Sequence, residues 1–273
     1  MLKSYLIPIC FWIAKKANKK SPLIIGLAGG QGTGKTTIAS IISLILTKYF
    51  KLKVFKISID DFYKTRNERK KISKSIHPLL MIRGVPGTHD YKIIYEFFKK
   101  IKNKKFTKLK LPKFDKSKDE RYNKKFWYKI NSKPDVIIFE GWCVGAKSQK
   151  NSELIKSINS LEKISDQNFI WRKYVNLQLK KNYKNLFRQI DEIIYLKAYN
   201  FKILQKWRIK QEKTLWLKSK NKRSLRIMNR GDIINFMQTY QRITQKMFKD
   251  APKYASIVMK LNSSHQINSI KFR

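Results

Sequence analysis

Eight consecutive residues, Gly29-Gly30-Gln31-Gly32-Thr33-Gly34-Lys35-Thr36, carry the spacing G-x-x-x-x-G-K-[ST]. An apolar run, Leu23 to Leu27, precedes them and a helical pattern, Thr37 to Leu46, follows. That strand–loop–helix context is the one in which such a loop cradles phosphate. The glycines let backbone N–H groups turn inward around phosphate oxygens, an approach a Cβ would obstruct. Lys35 then reaches the β- and γ-phosphates, and Thr36 offers a hydroxyl to Mg2+. The competing explanation, a glycine-rich turn with a coincidental lysine, is disfavoured because both flanks are correct. Gly29 to Thr37 are therefore the expected nucleotide-binding residues, and the chain is read as binding a nucleoside triphosphate.

Two further apolar runs end in acids. Val54–Ile59 leads into Asp60-Asp61-Phe62-Tyr63, and Val136–Phe139 closes on Glu140. An acidic pair at a strand's carboxyl end can accept a proton from a substrate hydroxyl or hold a metal-bound water; standing alone, it could equally cap the next turn. Glu140 has the form of the second nucleotide motif, placed to bind Mg2+ directly or through water. Between the two runs lies Arg83-Gly84-Val85-Pro86-Gly87-Thr88-His89-Asp90, a turn preset by two glycines and a proline. Arg83 can clamp a carboxylate in bidentate fashion, while Thr88, His89 and Asp90 can orient hydroxyls. The alternative is a loop in which Asp90 only caps the next helix.

The elements that must position these groups are legible. Beta-rich runs fall at Leu23–Leu27, Val54–Ile59, Val136–Phe139, Glu192–Leu196 and Ser256–Leu261, with helical patterns between them. Tyr91–Ile101 follows Asp90 and Ile233–Phe248 follows Asp232, both expected N-caps. Short buried strands alternating with helices predict an α/β fold, a mainly parallel five-stranded sheet covered on both faces. Ligands in such sheets bind beyond the carboxyl ends of the strands, where all these motifs fall. The run Tyr5–Ala14, with Pro8 near its first turn, reads as a helix packed on the domain. Lys64–Ser75 and Asn103–Lys129 read as polar, mobile or ligand-shaped excursions.

Composition sets the frame. The chain has 273 residues and is 42% apolar, enough for one α/β domain over 1–273. It contains no 18-residue apolar stretch that would span a membrane. Cys10 and Cys143 are far apart and form no C-x-x-C, which fits a reduced, cytoplasmic setting. The net charge of +44 raises a rival reading, nucleic-acid binding through phosphate neutralisation, with Trp127 and Tyr128 as candidate stacking platforms. The lysines are spread through nearly every segment, however, and outnumber the arginines that suit bidentate recognition. Abundant Ile and Asn beside Lys point to an AT-rich coding bias. The charge is read as a solvated basic surface that steers anionic substrates, with no specific nucleic-acid partner.

In this order the motifs resemble those of the D-glycerate 3-kinases, relatives of phosphoribulokinase, uridine kinase and bacterial pantothenate kinase. The resemblance rests on the loop, Asp60-Asp61-Phe62-Tyr63, Arg83–Asp90 and Phe139-Glu140-Gly141-Trp142-Cys143-Val144-Gly145. It continues through Leu111–Ser117, Asn159–Glu162, Trp171-Arg172 with Val175-Asn176, Lys206-Trp207-Arg208 with Gln211-Glu212, and Tyr240–Thr244. It implies a P-loop NTPase three-layer fold with an N-terminal helix over 1–21 and a helical insertion over 145–190. It also implies transfer of the γ-phosphoryl of ATP to glycerate, giving 3-phosphoglycerate, with Mg2+ held by Thr36 and Glu140; the alternative is a P-loop kinase of another small hydroxy compound, pantothenate-, uridine- or ribulose-phosphate-like. Lys35, Asp60 and Arg208 would be catalytic: Asp60 the base in preference to Asp61, and Arg208 with Lys206 on a lid helix. Asp61, Tyr63, Arg83, Thr88, His89, Asp90 and Lys116 would contact the substrate, in a monomer or small homo-oligomer. One departure stands out. The family's glycine-containing stretch before an Asp-Arg pair is replaced by the shorter Lys118-Asp119-Glu120-Arg121, so Asp119 and Arg121 receive no role.

Overall fold

The computed structural model describes residues 2–17, 21–103, 105–218 and 229–273. In chain order the strands are β1 Leu23–Gly29, β2 Val54–Ser58, the short β3 Leu109–Leu111, β4 Phe114–Asp115, β5 Glu120–Arg121 and β6 Tyr128–Ile130, then β7 Val136–Gly141, β8 Glu192–Lys197, β9 Ile257–Leu261 and β10 Ile267–Phe272. The helices are α1 Ile7–Lys16, α2 Lys35–Phe50, α3 Arg66–Ser75 and α4 Tyr91–Lys102, the short α5 Ser152–Ile155, α6 Ser160–Ser165, α7 Ile170–Gln178 and α8 Lys184–Phe187, then α9 Phe201–Lys218 and α10 Arg230–Tyr254.

Six strands form one sheet in the order β10-β9-β8-β1-β7-β2, parallel throughout except for β10. All five expected strands are present, and β10 is the addition. Its sequence, Ile267-Asn268-Ser269-Ile270-Lys271-Phe272, buries only Ile267. An edge strand with one buried residue leaves almost no apolar alternation to read. Along β1 and β7 the side chains alternate between two cores. Ile24, Ala28, Ile137 and Phe139 join one cluster, with Phe97 and Phe98 of α4 and Tyr240 and Met247 of α10. Ile25, Leu27, Val136 and Ile138 join the other, with α1, α2 and α9. Helices thus cover both faces, giving three layers. The carboxyl ends of β1, β2 and β7 share one edge, which brings the loop, Asp60 and Glu140 together.

Several local expectations change. α1 packs as the N-terminal run suggested, burying Ile9, Cys10 and Ile13, although residues 1 and 18–20 of the expected 1–21 lie outside the described residues. Asp232 is not an N-cap: Asn229 caps α10, and the Asp232 carboxylate returns to the Asn229 N–H in a capping box. Asp90 does occupy the N-cap position of α4, but its side chain makes no cap bond. The polar stretch at 64–75 holds α3, started by a Thr65/Glu68 capping box and burying Arg69. Of the stretch at 103–129, residue 104 lies outside the described residues, and the rest carries two small antiparallel pairs, β3–β6 and β4–β5, with β6 ending at Ile130. Within 145–190, α6 and α7 are tied in by buried ion pairs, Glu162 with Arg242 of α10 and Asp166 with Arg172. Both cysteines are free and buried. No helix among the described residues is long and apolar enough to cross a membrane.

Candidate active site

The loop after β1 turns on two left-handed glycines, Gly32 at φ 78° and Gly34 at φ 83°, the latter being the N-cap of α2. The Thr33 hydroxyl and Lys35 Nζ both donate to the Gly30 carbonyl, at 2.8 and 2.9 Å. Burial pushes the Lys35 ammonium below its usual range, opposed by the carboxylates of Glu140 and Asp60. The Thr36 hydroxyl donates to Glu140 Oε1 at 2.8 Å, and Glu140 Oε2 is buried with no hydrogen-bond partner. An orphaned carboxylate oxygen beside a hydroxyl is a hard-oxygen pair suited to Mg2+. Among the described residues no cluster of three or more His, Cys, Asp or Glu side chains could hold a metal alone. Mg2+ needs no such cage, because substrate phosphates and water complete its shell.

A cavity of about 310 Å3 opens from this loop. Gln31, Gly32, Lys35 and Thr36 line one side of it, and Ser58, Asp60, Tyr63, Arg83 and Lys116 the other. Asp60 sits on the 3-10 turn Ile59–Phe62 that ends β2. Its Oδ1 accepts from the Tyr63 hydroxyl at 2.8 Å and its Oδ2 from Lys116 Nζ at 2.7 Å. Burial raises the pKa of this carboxyl, but the charge and hydrogen bond of Lys116 outweigh it and hold the group down at about 2. Asp61 has the opposite fate. It accepts from the Phe114 N–H and the Tyr128 hydroxyl, both at 3.4 Å, and burial pushes it up to about 6. It does not line the cavity. Two adjacent acids are thus separated, one ionised at the cavity and one behind it.

The turn that follows corrects the sequence reading. Arg83 lines the cavity, but Thr88, His89 and Asp90 do not. Thr88 is fully buried: its hydroxyl donates to the Val85 carbonyl and accepts from the Gly84 N–H. His89, also fully buried, stacks on Tyr63 with ring centroids 4.6 Å apart, and its Nδ1 lies 2.7 Å from the Tyr183 hydroxyl. Burial lowers its pKa to about 4. Asp90 pairs with Arg121. The physical reason is a backbone zipper: Lys64 N–H donates to Thr88 O and Asp90 N–H to Phe62 O, which turns these residues into the brace under Asp60 and Tyr63. Gly84 is required by contact. At φ 140°, a Cβ there would sit 2.2 Å from the Tyr240 hydroxyl.

On α9, Arg208 lines the cavity and pairs with Glu212, whereas Lys206 is exposed and lies outside it. Residues two apart on a helix point to nearly opposite sides. Thr37 is likewise exposed on α2, away from the cavity. Site residues missed at the sequence level include Trp142 and Tyr240, an edge-on aromatic pair at 4.7 Å that bonds the carbonyls of Gly84 and Arg83. Both stand in the strings that carry the resemblance, so they were visible there without a role. Asp119, passed over, pairs with Arg83. Of the two candidate stacking residues, Tyr128 packs on the core beside Phe55 and Trp127 donates to the Tyr122 carbonyl.

The sequence signature of the Phosphoribulokinase / Uridine kinase family matches residues 24–172, over half of the chain. The chain belongs to that family. It is an ATP-dependent small-molecule kinase. It is 30% identical over 227 residues to an uncharacterized kinase (mug58) of Schizosaccharomyces pombe, covering 80% of this chain and 78% of that one. It is 28% identical over 235 residues to the chloroplastic D-glycerate 3-kinase of Arabidopsis thaliana, covering 77% of this chain but 48% of that protein. The kinase therefore spans about half the length of the plant relative. Its fold is similar to that of a D-glycerate 3-kinase from Cryptococcus neoformans, with a TM-score of 0.82 at 22% identity over 99% of both chains.

Proposed function

We propose that this kinase transfers the γ-phosphoryl group of ATP to a hydroxyl of D-glycerate, giving 3-phosphoglycerate. The observation that carries the reading is the acceptor side of the cavity, where the ionised Asp60 stands beside Arg83 and Lys116. A small hydroxy acid supplies what that wall accepts: a carboxylate for a guanidinium fork and an ammonium, and a hydroxyl for a carboxylate base. The 28% identity to a D-glycerate 3-kinase supports the same substrate.

The setting of each residue supports a role in this transfer. The loop N–H groups and Lys35 hold the β- and γ-phosphates. Asp60 stays ionised at neutral pH and accepts the acceptor hydroxyl, with Tyr63 fixing its orientation. Arg83 takes the carboxylate and Lys116 bridges between it and the base. Arg208 adds positive charge from α9 where the transferring group becomes more negative. Thr36 and Glu140 would hold Mg2+, which when bound neutralises charge on the β- and γ-oxygens. Phosphoryl transfer depends mostly on positioning and electrostatics, so an ionised, well-oriented Asp60 suffices even at a low pKa. An ADP-release assay against D-glycerate, pantothenate, uridine, ribulose 5-phosphate and glycerol tests the assignment. D-glycerate is expected to give the highest kcat/KM, with 31P NMR showing phosphate on the 3-hydroxyl. Faster turnover of pantothenate, a nucleoside or a pentose phosphate would show the assignment to be wrong.

A further inference from the structure

Asp119 holds a left-handed backbone conformation, uncommon outside glycine though best tolerated by Asn and Asp, at the rim of the acceptor wall. Its φ of 56° is left-handed, where a Cβ crowds the following carbonyl. No glycine relieves the turn, since none occurs between Asp115 and Arg121. Charge holds it instead. Asp119 Oδ2 pairs with Arg69 Nη2 at 2.8 Å, and the same nitrogen donates to the Asp119 carbonyl at 2.9 Å. Arg69 is 1% exposed, and its other bonds run to the carbonyls of Lys64 and Met81. It is a fixed, buried post. Asp119 Oδ1 pairs with Arg83 Nη1, and Arg83 Nη2 donates to the Lys116 carbonyl at 3.2 Å.

Without that carboxylate, Arg83 keeps the Lys116 carbonyl and the Phe114 ring, 5.7 Å from its guanidinium, but loses its one ion pair among the described residues. Its side chain is 29% exposed, and it shares the cavity with the cations Lys35, Lys116 and Arg208, which outnumber the carboxylates Asp60 and Glu140. Mutual repulsion among these cations favours swinging an unpaired guanidinium out to solvent. Two arginines against one carboxylate still leave net positive charge, so the pairing holds Arg83 in place without cancelling its attraction for an anion. We propose that Asp119 is a positioning residue for the acceptor: anchored on Arg69, it holds the Arg83 fork at the cavity and, through the Lys116 carbonyl, steadies the strap that carries Lys116. This rests on Arg83 being the group that takes the acceptor's carboxylate.

Two substitutions separate charge from turn geometry. Asp119→Asn keeps the shape and tolerates a left-handed φ but loses the charge; Asp119→Gly relaxes the turn altogether. Both are expected to raise the acceptor KM by about 10- to 100-fold, the scale on which misplacing a binding group acts, with the ATP KM nearly unchanged. In an Arg83→Lys background, Asp119→Asn should add much less than it does alone, because the two act as a unit. Because Arg69 would lose its carboxylate, melting is followed in parallel. If a single variant is unfolded at the assay temperature, the Arg69→Met/Asp119→Asn double variant removes the buried cation and is put through the same KM test. An acceptor KM that stays at the wild-type value while D-glycerate is turned over normally overturns the Asp119 role alone. If wild type prefers another acceptor, the glycerate reading fails, and the Asp119 role stands only if Asp119→Asn weakens that acceptor too.

Discussion

The two walls of the cavity are built in different ways. The nucleotide wall is one contiguous piece, β1, its loop and the start of α2, and it offers mainly backbone N–H groups with one lysine. The acceptor wall is assembled from Asp60 after β2, Arg83 in the following turn and Lys116 in the strap between β4 and β5. Long-range ion pairs hold it together, Lys116 with Asp60 and Asp119 with both Arg83 and Arg69. A wall of main-chain donors fits any phosphate, because its geometry is set by covalent neighbours. A wall of paired side chains can be retuned one residue at a time. Under the proposed function, phosphate binding falls to the first wall, and substrate choice together with the base Asp60 falls to the second.

The sharpest way to break this contrast is Lys35→Ala. No other lysine is held by the loop, so turnover with every acceptor should fall by roughly 10³-fold or more, beyond the usual loss of a single electrostatic donor. Near-normal turnover in a direct ADP-release assay would remove the nucleotide wall from the mechanism. Next in size is Asp60→Asn, which keeps the shape but cannot take the hydroxyl proton. Its kcat should fall within the roughly 10²- to 10⁴-fold range of general-base losses, toward the lower end, with ATP binding retained by calorimetry. Asp61→Asn should cost far less; a larger loss there would reverse the assignment.

Arg83→Lys sharpens the acceptor side. The charge remains but the fork is lost, so KM for D-glycerate should rise about tenfold while KM for ATP hardly moves. Equal losses for D-glycerate and for a neutral acceptor such as glycerol would mean that Arg83 only braces the turn. The smallest expected effects are in pH dependence. In Lys116→Met the cation that holds Asp60 down is gone, burial then dominates, and the acid limb of kcat should move to higher pH; an unmoved limb would exclude Lys116 as the cause. Asp61 binds its proton more readily in the folded chain, at about 6 against an ordinary 3.8. Stability is therefore lost as pH rises through that window, and Asp61→Asn should raise Tm at neutral pH and flatten its pH dependence, as read by calorimetry.

The nucleotide wall was legible in the sequence because its information is local. Glycines, a lysine and a threonine at fixed offsets between a strand and a helix define a geometry almost by themselves. The acids at the ends of β2 and β7 were legible for a related reason: short apolar runs reveal buried strands, and parallel strands share a carboxyl edge. The sixth strand escaped because an edge strand with a single buried residue carries no such pattern. Which side chain of a dense polar cluster faces the cavity was beyond reach. In Arg83–Asp90 only Arg83 reaches it; Thr88 and His89 were drawn inward by a backbone zipper to Phe62 and Lys64 and by the Tyr183 hydroxyl. The two neighbours Asp60 and Asp61 were divided by which of them met Lys116 and which met the Phe114 N–H. Asp119 acquired its place from Arg69, 50 residues earlier in the chain. Spacing determines what the backbone can do within a few residues, but the partner that a charged side chain takes depends on which donors, carbonyls and charges the fold buries beside it, and that only the tertiary structure decided.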